Sequence, residues 1–242
     1  MLNLTPHSKS TFAMRDINTF LFDLDGTLVD SVPDLATSLN LTLAELRKSP
    51  FTLSEIRNWV GNGARALVHR GLSGSHKVDT TIPESEINDA LEVFLHHYTN
   101  YACHASELYP NVIHTLRALK QNGFKLALVT NKPKAFIPTI LEGFNLDALF
   151  DLCVGGDSLE EKKPSPLPLL YICNAFNVSP SQCVMVGDSK NDILAAKAAK
   201  MKSIGLTYGY NYGQDISSFH PDWVMDDIGR ILDILSLRQK LT

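Results

Sequence analysis

The stretch "LFDLDGTLVD", residues 21–30, runs an apolar segment straight into two carboxylates, Asp23 and Asp25, and follows them at once with Gly26 and Thr27. A strand gains no stability from acids at its end, so the pair implies that something is bound there. Around it, "TFLFDL" (19–24), "KLALVT" (125–130), "LFDLCV" (149–154), "CVMVGD" (183–188), "KSIGLT" (202–207) and "DWVM" (222–225) share one character. Most are continuously apolar rather than alternating, the pattern of parallel strands buried on both faces. Amphipathic helices lie between them. Val112, Ile113, Leu116 and Leu119 form one stripe, ended by Asn122-Gly123, and Leu169, Ile172, Cys173 and Phe176 form another. This alternation predicts an α/β fold, a doubly wound parallel sheet with ligands at the carboxyl ends of its strands.

One connection breaks the rhythm. The segment between the first two strands is far longer than an ordinary crossover and contains no convincing strand. It reads as helices instead. Leu35, Leu39, Leu43 and Leu46 make a stripe after Ser31, which is expected to form a capping box with Asp34. Thr52 with Glu55, and Thr81 with Glu84 around Pro83, suggest two more boxes. Ile87, Ala90, Leu91, Phe94, Leu95, Tyr98 and Tyr101 then share one helical face. The predicted organisation is an α/β core of residues 1–30 and 106–242, with 1–17 a loose tail, and an all-helical domain inserted over 31–105.

Of 242 residues 44% are hydrophobic and 20% charged, the balance of a globular chain. The formal net charge of −4 supplies no global basic field for nucleic acid or an anionic membrane, so an anionic substrate must be held by local cations. No apolar run approaches the ~18 residues of a membrane span. Cys103, Cys153, Cys173 and Cys183 are scattered, without a CxxC pair, and read as reduced structural thiols. The first residues lack the apolar stretch of a signal peptide, so a cytoplasmic location is expected. No heptad pattern chooses between a monomer and a homodimer.

Winding of this kind brings neighbouring strand ends to one rim. Asp23 and Asp25, Thr130-Asn131, and Asp188 with Asp192 one turn later would meet there, joined by Lys163 of "EEKKPSP". Two unit charges ~4 Å apart repel by about 4 kcal/mol at an effective dielectric near 20. Such a cluster therefore requires a cation or a retained proton. All-oxygen donors favour Mg²⁺ as cofactor; zinc would call for His or Cys. Ser189-x-x-Asp192 also has the form of a capping box, so Asp192 has two readings.

"FDLDGTLVDS", Thr130 of "LVTNK", Lys163 of "KKPSP" and "VGDSKND" resemble, in order and spacing, the four motifs of the haloacid dehalogenase-like phosphohydrolases. The inserted helices look like that family's cap. The resemblance implies Asp23 as nucleophile, Asp25 as acid and base, and Thr130 with backbone N–H groups around Leu24, Asp25 and Asn131 on the phosphoryl oxygens. It implies Lys163 as the charge-balancing cation and a metal site drawn from Asp23, Asp25, Asp188 and Asp192. "KKPSPLPL" departs from the pattern, with Ser165 and Leu167 where many relatives carry His and Asp.

"WVGNGARALVHRGL" (59–72) and "GLTYGYNYG" (205–213) resemble the members of that family acting on 2-phosphoglycolate. Gly61-Asn62-Gly63 opening a helix would offer free N–H groups to a carboxylate, with Arg65 adding charge and Arg70 ranked beside it. The expected partner is thus a small phosphate ester. Alternatives are a phosphatase or phosphomutase for sugar phosphates, and a phospho-aspartate receiver protein, against which the insertion and Asp25 both speak. Lys48 and Lys77 lie on no apolar stretch that would activate a phosphonatase amine. The tyrosines of "TYGYNYGQ" read as a surface loop or as pocket lining, and His96, His97 and His104 as a solvated face.

Overall fold

The structure is a computed structural model that describes residue 14 and residues 16–237. Residues 1–13 of the expected tail lie outside the described residues. Met14 and Ile17 are buried in the core, so the expectation of a loose segment through residue 17 fails at these two.

In chain order the elements are β1 (Thr19–Phe22), β2 (Val29–Asp30), α1 (Val32–Glu45), α2 (Leu53–Arg57), α3 (Ala64–Ser73), α4 (Glu84–Tyr101), β3 (Glu107–Leu108), α5 (Val112–Gln121) and β4 (Lys125–Val129). There follow α6 (Ile137–Gly143), β5 (Leu152–Val154), α7 (Leu167–Phe176), β6 (Cys183–Gly187), α8 (Lys190–Ala198), β7 (Lys202–Leu206), β8 (Trp223–Met225) and α9 (Arg230–Ile234). All six apolar runs are strands of one parallel sheet, in the order β5-β4-β1-β6-β7-β8. Alternate residues of β1 serve opposite faces, as strand geometry requires. Phe20 and Phe22 join Leu126, Leu128, Val184 and Val186 on one side, while Leu21 joins Ala127, Val129 and Met185 on the other. Both faces are covered by helices, which is why these strands read as continuous apolar runs.

β1 is central, with Phe22 in register with Leu128 of β4 and Val186 of β6. The residues just beyond these three positions therefore emerge side by side on one rim. α1 to α4 pack around a hydrophobic cluster of their own, including Leu39, Leu43, Ile56, Leu67, Ile87 and Phe94.

The sequence shows no strand between β1 and β4, yet β2 and β3 pair antiparallel there, Val29 opposite Leu108 and Asp30 opposite Glu107. The expected Ser31–Asp34 box does not form. Asp34 instead accepts from the backbone N–H groups of Ala105 (2.8 Å) and Ser106 (3.1 Å), and the Ser31 hydroxyl donates to Asp25 (2.6 Å). The carboxylate serves two donors of the returning chain rather than one of its own helix. The Thr52–Glu55 box forms as expected. Thr81 turns back to Asp79, leaving Pro83 to start α4.

Candidate active site

Asp23 follows β1, Thr130 follows β4 and Asp188 follows β6, so the topology alone delivers them to a common rim. Asp23, Asp188 and Asp192 each place a carboxylate oxygen within 4.8 Å of the others, and all three are buried. Lys163, 1% exposed, reaches into this group: its Nζ lies 2.9 Å from Asp23, 2.7 Å from Asp192 and 2.6 Å from the Val129 carbonyl. Its neighbour Lys162 donates to the Asn62 carbonyl instead, at 2.8 Å.

One cation among three buried acids leaves the cluster short of positive charge. Burial raises the Asp23 carboxyl to about 7; Lys163 opposes the rise, while Asp192 and Asp25 add to it. Asp188 is raised well above the carboxylate range by burial, then by Asp192 and Asp23. Three oxygen donors of this kind, crowded and undercompensated, fit a hard divalent cation. Gly26 makes the crowding sterically possible. Its φ is +88°, and a Cβ there would stand 2.3 Å from an Asp188 oxygen. Thr27 fixes that carboxylate at 2.6 Å.

Asp192 closes its capping box and also joins the acidic cluster. One oxygen accepts from the Ser189 N–H and hydroxyl, closing the capping box of α8, and the other meets Lys163. The Asp25 side chain stands apart from this cluster of three acids. Its carboxylate is taken by Ser31 and by Lys132, at 2.7 and 2.9 Å. Lys132 stood unremarked in "LVTNK" and is only 4% exposed. Burial alone would lower its pKa, but Asp25 beside it raises it above the lysine range, so it is charged.

A pocket opens between rim and insertion. Asp23, Asp25, Thr130, Asn131 and Lys132 line it from the sheet side; Leu35, Val60, Leu67, Phe94 and Tyr98, with the backbone at Gly61, Gly63 and Ala64, close it from the other. Thr130 is buried at the floor and its hydroxyl accepts from the Lys132 N–H. The Leu24 N–H, expected on a phosphoryl oxygen, is held by Asp23 itself at 2.8 Å.

The turn at residues 61–63 docks on the core through its carbonyls and its asparagine. Asn131 and Asn191 donate to the Gly61 carbonyl (3.0 and 3.1 Å), and the Asn62 side chain accepts from Tyr212 (2.7 Å) and Arg70 (3.0 Å). Arg65 is a correction. Its side chain, 41% exposed, pairs with Glu84 and Asn88 on the insertion's surface and does not line the pocket. The tyrosine loop after β7 is also corrected, since it neither floats nor lines the pocket. Tyr210 holds Asp30 through its hydroxyl and Asp188 through its N–H, while Tyr212 holds Asn62. His96 and His104 are exposed, as a solvated face requires, whereas His97 is largely covered and pairs with Glu45. Among the described residues no helix is long and apolar enough to cross a membrane.

Residues 20–206 match the family model described as haloacid dehalogenase-like hydrolase. A phosphoglycolate phosphatase of Colwellia psychrerythraea is 52% identical over 219 residues, covering 90% of this chain and 97% of the relative. That of Psychrobacter arcticus is 48% identical, covering 91% and 96%. The crystal structure of a predicted phosphoglycolate phosphatase from Haemophilus somnus 129PT superposes with a TM-score of 0.86 at 42% identity, over 92% of this chain and 99% of that one.

Proposed function

The chain belongs to the haloacid dehalogenase-like hydrolases, and we propose that it hydrolyses 2-phosphoglycolate to glycolate and phosphate through an aspartyl-phosphate on Asp23. The observation that carries this reading is the buried Asp23–Asp188–Asp192 cluster beside Lys163, reaching a small covered pocket through Asp23. Mg²⁺ is the cation proposed for the three acids; when bound it neutralises phosphoryl charge and keeps Asp23 ionised.

Asp23 attacks phosphorus, and the bond to the glycolate oxygen breaks. Asp25 gives that oxygen a proton, then takes one from the water that cleaves the acyl phosphate. Ser31 and Lys132 hold Asp25 in position for both transfers. Lys163 offsets charge on the nucleophile, and Thr130 supports the phosphoryl group from the floor. The helical insertion over 31–105 acts as a cap, excluding bulk water during transfer. Its turn at Gly61-Asn62-Gly63 and the start of α3 approach the substrate through backbone. Leu24 is assigned a phosphoryl contact that needs Asp23 to release its N–H. A cytoplasmic location and a place in carbohydrate metabolism belong to the same proposal.

A sugar-phosphate substrate is disfavoured by the insertion's share of the pocket, whose side chains apart from the Tyr98 hydroxyl are apolar and offer little to a ring of hydroxyls. Phosphate release from a panel of small esters, with and without Mg²⁺, tests the proposal. At least about 100-fold preference for 2-phosphoglycolate over glucose phosphates is expected. Equal rates would defeat the substrate assignment, and undiminished turnover under chelation would defeat the metal.

A further inference from the structure

The pocket has one charged group that the catalytic steps do not consume. Lys132 lines it from the core, while the insertion contributes backbone and side chains that are apolar apart from the Tyr98 hydroxyl. Lys163 lies deeper, spent on Asp23, Asp192 and the Val129 carbonyl. The Lys132 ammonium touches Asp25 at 2.7 Å and stands 4.8 Å from the centre of the Tyr98 ring. An ammonium buried this deeply needs anionic company to persist, and it carries three donors.

Its position relative to Asp25 matters more than its charge. In 2-phosphoglycolate a single methylene separates the ester oxygen from the carboxylate carbon. The group that protonates the one and the group that binds the other must therefore be immediate neighbours. Asp25 and Lys132 are such a pair, in direct contact. A leaving group whose second polar function lay further off would leave the ammonium with Asp25 as its anionic partner and add none of its own.

We propose that Lys132 is the specificity-determining residue of the pocket, its ammonium receiving the carboxylate of the leaving group beside Asp25. The inference rests on the phosphatase reading above and deepens it. Lys132 selects phosphate esters bearing an anion next to the ester carbon, and rejects neutral esters of the same size.

The test compares the Mg²⁺-loaded wild type with Lys132→Gln on 2-phosphoglycolate and on 2-hydroxyethyl phosphate, which replaces the carboxylate by a hydroxymethyl group. Lys132→Gln is expected to lower kcat/KM on both esters through Asp25, and to lose about 30-fold more on 2-phosphoglycolate than on 2-hydroxyethyl phosphate. Equal losses on both esters would mean that Lys132 merely holds Asp25, and would overturn the proposal. Should Lys132→Gln lose its native circular dichroism, Lys132→Arg decides. A retained preference for the charged ester supports the proposal, and equal loss on both overturns it. A wild type that turned over neither ester would instead refute the phosphatase reading, and this inference with it.

Discussion

Asp23 sits in a pocket floor where burial outweighs its lysine partner, and the excess negative charge is shared with Asp188. Removing that charge has two separable effects. Asp23→Asn is expected to lower phosphate release by at least about 10⁴-fold, because no acyl phosphate can form. The folded state should survive, with an unchanged circular dichroism spectrum, because the amide is easier to bury than the carboxylate. The raised pKa values also set a pH trend. Near pH 6 the folded, metal-free chain retains a proton on Asp23 that the unfolded chain has released, and Asp188 is shifted in the same direction. Stability from this source is therefore lost as pH rises through about 7. The melting temperature of chelator-treated protein should fall between pH 5.5 and 8, and Asp188→Asn should flatten the trend. Added Mg²⁺ should raise melting most at pH 8, where protons no longer compete for the acids. A melting temperature that climbs with pH in the chelated protein would contradict the geometry. The acids were legible because their order and spacing mirror strand ends. Lys132 was not, since its partner Asp25 lies 107 residues away and nothing local marks the pairing. Arg65 failed for the opposite reason: helical spacing says which residues neighbour it, but not which face the insertion turns to the core.

Asp34 shows how a helix start can be captured by tertiary structure. A Ser-x-x-Asp signal has a local use, but the carboxylate is 1% exposed and serves the chain leaving the insertion at Ala105 and Ser106. Asp34→Ala should take the partner from these donors and destabilise the protein by about 2 kcal/mol, measured by urea unfolding. A loss below about 1 kcal/mol would imply that solvent already serves them. The same contrast explains which elements could be read. The six sheet strands carry long apolar runs because both faces are covered, whereas β2 and β3 have two residues each and no period to detect. The Thr52–Glu55 box was legible because both partners lie within one turn.

One turn of the insertion and one loop of the core meet closely. Gly61, with φ +118°, lies so close to the Tyr212 hydroxyl that a Cβ would stand 2.6 Å from it. Gly61→Ala should therefore hold the two parts ajar, lowering kcat/KM on 2-phosphoglycolate by about 30-fold while the melting temperature stays within about 3 °C. Tyr212 is itself gripped by Asn62 and Asn191 and flanked by Arg70 and Lys190. Contacts of this kind join segments some 150 positions apart, which is why the tyrosine loop read as surface from sequence. The path between the two parts is simpler than their interface. The chain leaves along β2 and returns along β3, and these two passages are hydrogen-bonded neighbours. Entry and exit thus share a doorstep, and everything between them is a side branch on the main thread. Such a branch can lengthen, shrink or be exchanged for another without redrawing the order of the strands beneath, so new substrates can be met by rebuilding the roof while the hearth stays where it is.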